Sequence, residues 1–120
     1  MKTAPLLVSA IICFHLGATP SHAQSTATNC DRAQEQLKLA EAASSQNDLT
    51  TAAERYQQAI KVAPLCVEAL VNLGAVYNRL NRPEDAIAAF QQALTKNPQL
   101  FAAHLNLGIT YFRSSRFDLA

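Results

Sequence analysis

Residues 67–100 read VEALVNLGAVYNRLNRPEDAIAAFQQALTKNPQL. Parts of this block recur 34 residues upstream and 34 residues downstream. Its latter half recurs upstream, where Ala52, Tyr56, Ala59 and Pro64 correspond to Ala86, Phe90, Ala93 and Pro98. Its first half recurs downstream, where Leu107, Gly108 and Tyr111 correspond to Leu73, Gly74 and Tyr77. Similar residues at one constant spacing indicate a small structural unit repeated in tandem.

Two stretches of apolar residues within the block follow the spacing of helices. Their members are Leu70, Leu73, Val76, Tyr77 and Leu80, and then Ala86, Ile87, Ala89, Phe90 and Leu94. Pro83 suits the first turn of a helix, and Glu84 and Asp85 place negative charge where the helix dipole favours it. Across all units the pattern predicts helices at about 32–46, 49–63, 67–80, 83–96 and 101–114.

The succession of small, aromatic and proline positions resembles the tetratricopeptide repeat, a helix–turn–helix unit of about 34 residues. Its order in one block is Leu70, Leu73-Gly74, Tyr77, Ala86, Phe90 and Pro98. The resemblance implies an all-α fold of antiparallel helix–turn–helix repeats stacked as a right-handed α-solenoid of about two and a half repeats. The units are about 33–66, 67–100 and an incomplete 101–120. A plain helical bundle is the alternative, but it explains only the apolar faces and not the constant separation.

Two glycines interrupt otherwise regular helical patterns. Gly74 and Gly108 each cost about 1 kcal/mol relative to alanine in a helix. A residue so unfavourable locally predicts that a partner helix comes too close for a side chain. Tyr56 and Phe90 are predicted to be the large side chains wedged between successive helices.

The N-terminal segment, 1–23, resembles a secretory signal peptide. Lys2 supplies a positive start, an apolar run follows to Leu16, and Ser21-His22-Ala23 precedes Gln24. We expect cleavage between Ala23 and Gln24, a periplasmic or secreted protein, and no membrane segment after cleavage. An uncleaved anchor is the alternative, although the apolar run is shorter than the about 20 residues that span a bilayer. Residues 24–31 are polar and predict a flexible linker before a repeat domain at 32–120.

The charge balance argues against nucleic acid as a partner. Loss of Lys2 with the signal peptide leaves nine basic and nine acidic residues. A net charge near zero without a basic run does not attract a phosphate backbone strongly.

The residues that carry catalysis are nearly absent. After cleavage His104 is the only histidine, and it occupies the place that Leu70 holds one unit earlier, which predicts a partly buried packing role. The glycines that remain, Gly74 and Gly108, form no phosphate-binding loop. One histidine without ligand partners at suitable spacing does not make a metal site. We therefore expect no enzyme activity, no cofactor and no metal.

The resemblance implies that the first helix of each unit lines the concave face of the superhelix. Rows along that face would be Lys38, Asn72 and Asn106; Leu37, Val71 and Leu105; and Glu41, Ala75 and Ile109. Leu105, Ile109 and Phe112 lie on one side of their helix because they follow i, i+4, i+7 spacing. With Val71 extending this strip and the two asparagines bordering it, six residues are candidates for holding a peptide: Val71, Asn72, Leu105, Asn106, Ile109 and Phe112.

The same strip has a second interpretation. In a longer array the next repeats would partly cover it, and exposed apolar surface of this kind also favours self-association. From the sequence, two alternatives remain open: the strip binds a ligand, or it is exposed only because no further repeat covers it.

Two cysteines remain after cleavage, Cys30 and Cys66. Export implies an oxidising compartment, and two antiparallel helices between the cysteines place both at the same end of the unit. A disulfide between them is one alternative, and two independent thiols are the other, since a bridge requires Cα atoms within about 7 Å.

The sequence therefore predicts an exported protein–protein interaction scaffold that binds a peptide or protein in a concave groove. The alternative is the N-terminal repeat region of a larger secreted enzyme or assembly factor, truncated at residue 120. A non-functional truncated reading frame is a third interpretation of the incomplete last unit.

Overall fold

A computed structural model describes residues 29–117, where all regular structure is helical. Residues 29–31 are helical and precede five helices: α1 (Gln34–Ser45), α2 (Leu49–Val62), α3 (Val67–Arg79), α4 (Pro83–Lys96) and α5 (Phe101–Phe117). The predicted signal peptide, its cleavage site at Ala23 and Gln24, most of the predicted linker, and residues 118–120 lie outside the described residues.

Each helix packs against the next one along the chain, and α3 also contacts α5. The helices pair as α1 with α2 and α3 with α4, and α5 stands where the first helix of a third unit is expected. The predicted all-α repeat solenoid is confirmed. The first four helices begin and end within two residues of the predicted bounds.

Two asparagines end the first helices of the two units. Asn47 and Asn81, at equivalent positions of successive units, adopt positive φ of 63° and 57°. The following amides, at Asp48 and Arg82, donate to the carbonyls of Ala43 and Tyr77 at 2.9 Å. This left-handed cap satisfies carbonyls at the helix end, and asparagine tolerates it better than other residues with a side chain.

The predicted end of α5 near residue 114 is wrong, because the helix continues to Phe117. Ser115 stands where Asn81 stands one unit earlier, and serine lacks asparagine's tolerance of the left-handed conformation. The hydroxyls of Ser114 and Ser115 instead donate to the carbonyl of Tyr111 within the helix, at 3.0 and 2.8 Å. Within the described residues, α5 therefore runs helically through the position at which α1 and α3 end in a turn.

Large and small side chains alternate in the core, which runs along the stack. Tyr56 and Phe90 are buried in α2 and α4, and Phe90 is fully covered. Fully buried alanines flank them at Ala52, Ala59, Ala86 and Ala93. Small residues at these positions allow neighbouring helices to approach closely, so the repeated alanines and aromatics set the spacing between helices.

The N-terminal end of the stack is tied by a disulfide between Cys30 and Cys66, whose Cα atoms are 4.8 Å apart. Cys66 is fully buried in the α2–α3 turn. Residues 29–31 are helical, and the Ala33 amide donates to the Cys30 carbonyl at 2.9 Å. The predicted flexible linker therefore does not extend to residue 31, because the bridge and this hydrogen bond hold its last residues against the first unit.

Candidate functional site

The surface formed by α1, α3 and α5, called the inner surface below, carries a depression of about 260 Å³ between α3 and α5. Its lining is mostly apolar and consists of Val67, Glu68, Val71, Asn72, Leu100 and Ala102. Sequence reasoning selected Val71 and Asn72 but missed the other four. Leu100 and Ala102 carry no signal in a single sequence, since only the approach of α5 to α3 makes them neighbours of Val71.

The predicted concave row of Leu37, Val71 and Leu105 is wrong as a surface row. Leu37 is 3% exposed, Val71 is half-buried and Leu105 is 50% exposed. Equivalent positions thus become steadily more exposed toward the last helix. The gradient follows from packing between units, because this row faces the first helix of the following unit and no described unit follows α5.

The two asparagine amides predicted to hold a ligand already have partners in the chain. Asn72 lies close enough to the Tyr56 hydroxyl for hydrogen bonding to lower the pKa of that tyrosine. Asn106 donates through Nδ2 to the carbonyl of Ala102, one turn earlier in α5, at 2.9 Å. Each amide retains further hydrogen-bonding capacity. Both asparagines are half-buried, and Asn72 borders the depression, whereas Asn106 is not among the residues that line it.

The structure does not gather all six candidates into one site. Ile109 is 44% exposed and lies in the row of Glu41 and Ala75, beside the inner surface. Leu105 and Phe112 are 50% and 62% exposed and lie in rows that face a following unit. Asn78, which is equivalent to Phe112 in the preceding unit, shows this directly, since its Nδ2 donates to Thr110 Oγ1 in α5 at 2.7 Å. The candidates therefore divide into two groups. Val71, Asn72, Asn106 and Ile109 lie on or beside the inner surface, whereas Leu105 and Phe112 lie in rows that face a following unit.

A buried tyrosine marks the acidic part of the inner surface. Burial raises the pKa of Tyr56, and the carboxylates of Glu41 and Glu68 raise it further, whereas the hydrogen bond from Asn72 lowers it. Both glutamates are exposed. In the part of the chain that the structure describes, the one ion pair joins Arg82 to Asp85 at 2.7 Å, so neither glutamate is neutralised there.

A second cavity, of about 380 Å³, lies on the other side of the stack between α2 and α4. Two of its polar groups bond to each other, since Gln57 Nε2 donates to the hydroxyl of Tyr77 at 2.7 Å. The same bond recurs in the next unit, from Gln91 to Tyr111, at 3.4 Å. A contact that repeats with the unit belongs to the scaffold, so this cavity is the weaker candidate.

His104 is exposed, and its Nε2 lies 2.8 Å from the carbonyl oxygen of Pro98. The expected partly buried packing role is wrong. The equivalent Leu70 is 1% exposed because it packs with Ala93 of α4 and Ala103 of α5, and no helix after α5 lies within the described residues. Residues 29–117 contain no group of three metal-binding side chains and no helix with the length and hydropathy needed to cross a bilayer.

The chain matches the sequence model of one family, described as tetratricopeptide repeat, over residues 37–101 and 79–120. A search of curated proteins found no match.

Proposed function

Because the chain belongs to the tetratricopeptide repeat family, we propose that it is an exported scaffold whose inner surface binds a segment of another protein. Repeats of this family commonly mediate protein–protein interaction. The observation that carries the proposal is the apolar depression between α3 and α5, bordered by Glu68 and Asn72. Its volume of about 260 Å³ is below the roughly 300–1,000 Å³ of small-molecule clefts and suits an inserted side chain.

The surroundings of the depression favour a particular partner chemistry. The apolar lining of the depression is formed by Val67, Val71 and Leu100, and the exposed carboxylate of Glu68 lies at its edge. Glu41 adds a second carboxylate close enough to act on Tyr56. We infer that the bound segment carries an aliphatic or aromatic side chain beside a lysine or arginine, since opposite charge improves orientation and association rate.

The exposure and contacts of His104 support a binding role rather than a catalytic one. Its ring is exposed, and its Nε2 contacts a backbone carbonyl rather than a carboxylate or a nucleophile. A general base needs a reacting group within hydrogen-bond reach. The family fold is generally a non-catalytic scaffold, and we propose the same for this chain.

Peptide selection tests the proposed groove. Panning a displayed random peptide library on the purified chain should enrich peptides with a basic residue next to an apolar one. Ala102→Phe, which fills the depression, and Glu68→Lys, which reverses its charge, should each weaken the selected peptides at least about tenfold. Binding by fluorescence anisotropy gives the measurement.

The matched controls are Ala42→Phe and Glu54→Lys, at exposed positions of α1 and α2 outside the depression. Both controls should bind as the unchanged chain does. Enrichment of acidic peptides, or retention of affinity in Ala102→Phe, would contradict the proposed groove.

Export is tested separately. Mass spectrometry of protein recovered outside the cytoplasm should show a chain that begins at Gln24. Recovery of a cytosolic product that still begins at Met1 would refute export without affecting the groove.

A further inference from the structure

A groove, called the outer groove below, runs between α2 and α4 on the side of the stack opposite the inner surface. It consists of two adjacent cavities, of about 380 and 270 Å³, which share Gln57 in their lining. Leu73 and Tyr77 of α3, which are both buried, form the floor of the larger cavity. All the lining residues lie between 50 and 92, so the two complete units build the outer groove without α5.

The larger cavity has the size of a small-molecule cleft. Its volume of about 380 Å³ falls within the roughly 300–1,000 Å³ of such clefts, whereas the inner depression is smaller. Ile60 and Leu73 provide apolar contact, and the exposed side chains of Lys61 and Gln92 stand at the rim. A few polar groups around an apolar floor are typical of sites that fix the orientation of a small ligand.

Two opposite charges stand at separate points along the outer groove. Glu54 lines the smaller cavity and Lys61 the larger one, and both side chains are exposed. They are seven residues apart in α2, or nearly two turns, so they lie on one side of the helix and about 10.5 Å apart along its axis. Neither takes part in an ion pair among residues 29–117.

The charges that face the outer groove from beyond α2 neutralise each other. Arg82 Nε donates to a carboxylate oxygen of Asp85 at 2.7 Å. The same guanidinium lies 4.7 Å from the centre of the Tyr77 ring, which fixes its position beside the floor. The outer groove therefore has one negative end, at Glu54, and one positive end, at Lys61.

The middle of the outer groove offers hydrogen-bonding groups of both kinds. Gln57 Nε2 donates to the hydroxyl oxygen of Tyr77 at 2.7 Å. The amide oxygen of Gln57 retains the capacity to accept, and the Tyr77 hydroxyl retains its hydrogen to donate. A peptide backbone presents one N–H and one C=O for each residue, so it can satisfy both.

We propose that the outer groove binds a short free peptide of about three residues, with its α-ammonium group at Glu54 and its α-carboxylate at Lys61. Extended residues span about 3.3–3.6 Å each, so the two ends of a tripeptide match the spacing of the two charges. The middle side chain would lie on Ile60 and Leu73. The inference does not depend on the inner surface.

A longer protein segment matches the outer groove less well. Its charges would have to come from side chains, and those on one face of an extended chain alternate with a period of two residues. They are therefore about 7 or 13 Å apart, on either side of the spacing between Glu54 and Lys61. The two ends of a free tripeptide fit this spacing without such a mismatch.

Isothermal titration calorimetry of the full chain with the tripeptide Ala-Leu-Ala tests the proposal. A dissociation constant of about 0.1 mM is expected for a ligand of this size. Acetylation of its amino end or amidation of its carboxyl end should each weaken binding at least about tenfold, because each removes one charge contact. These blocked peptides test both ends without altering the protein.

Charge exchange in the protein gives a second test. Glu54→Lys and Lys61→Glu should each weaken the tripeptide at least about tenfold. The double exchange should recover binding to within about threefold of the unchanged chain, because the peptide can then enter in the opposite direction. Circular dichroism should show unchanged helicity in all variants.

The matched control is the double exchange Glu35→Lys/Lys38→Glu, at exposed positions of α1 outside the outer groove. It should bind the tripeptide as the unchanged chain does. Glu68→Lys, which alters the inner surface, should also leave tripeptide binding unchanged. The two sites can therefore fail independently.

Absence of binding up to about 5 mM tripeptide would overturn the proposal. So would equal binding of the doubly blocked peptide, or no recovery in the Glu54→Lys/Lys61→Glu exchange, since either result would mean that the two charges do not hold the peptide ends. Tighter binding of a blocked ten-residue peptide would assign the outer groove to a protein segment instead and would also overturn it.

Discussion

The ring of Phe90 lies so close to Gly74 that a β-carbon on residue 74 would come within 2.5 Å of it. Phe90 is fully buried in α4, so a shift of its ring would have to displace the side chains packed around it. Gly108 occupies the same place one unit later and meets nothing within 4 Å. Two glycines at equivalent positions of a repeat are thus under opposite constraints.

Alanine substitution should therefore change the stability of the fold in opposite directions at the two glycines. Gly74→Ala should destabilise the fold by about 1–2 kcal/mol, because the cost of overpacking exceeds the gain in helix propensity. Gly108→Ala should stabilise it by up to about 1 kcal/mol. Urea unfolding of the two variants beside the unchanged chain gives both values. Stabilisation by Gly74→Ala would show that the Phe90 ring yields.

The disulfide should account for much of the stability of the first unit. Cys30 and Cys66 are 36 residues apart, a loop for which chain entropy predicts roughly 3–4 kcal/mol. Unfolding under reducing conditions should therefore begin at lower urea than under oxidising conditions. A Cys30→Ala/Cys66→Ala variant, which a reductant does not alter, is the control. Equal midpoints, or two free thiols by mass, would refute the bridge.

Asn78 and Thr110 form a polar contact between α3 and α5, and Thr110 is 1% exposed. Asn78→Ala should cost about 0.5–1.5 kcal/mol, the usual value of such a hydrogen bond. Position 110 is equivalent to the buried Val76, so valine should fit there, and Thr110→Val should cost the bond with Asn78 together with the bond that the hydroxyl donates to the Asn106 carbonyl. In a double-mutant cycle the two losses should not add, because both remove the same bond. Additive free energies of unfolding would mean that the pair is not coupled.

Stability should fall at alkaline pH because of Tyr56. Its pKa is raised, first by burial and then by Glu41 and Glu68. A raised folded-state pKa means that this contribution is complete below the unfolded value of about 10 and is lost as pH rises past it. Tyr56→Phe should therefore lose less stability between about pH 8 and pH 10.5 than the unchanged chain does.

Urea unfolding at the two pH values measures this difference, and lysine titration affects both proteins equally. At neutral pH the variant should be weaker by about 1 kcal/mol, because it lacks the hydrogen bond with Asn72. Parallel pH profiles would contradict the assignment to Tyr56.

Local patterns were sufficient to predict the helices. The spacing of apolar residues, Pro83 at the start of α4 and the breaks near Asn47 and Asn81 placed four helices within two residues of their observed bounds. These signals depend on neighbours within one or two turns, so they can be read from a single sequence. The error at the end of α5 has the same origin, because Ser114 and Ser115 resemble turn residues yet bond within the helix.

The sequence by itself determined the repeat, the length of its unit and the close approach of another helix at Gly74, whereas the contact of Gly74 with the Phe90 ring came only from the structure. Only the tertiary structure decided which side of each helix is covered. Leu37 and Leu105 occupy equivalent positions but are 3% and 50% exposed, and Leu70 and His104 differ in the same way. A residue's place in the repeat depends on its own helix, whereas its burial depends on the helix packed beside it, often a whole unit away in the chain. That is why Val71 and Asn72 were found in advance, while their neighbours Leu100 and Ala102 became visible only when α5 packed against α3.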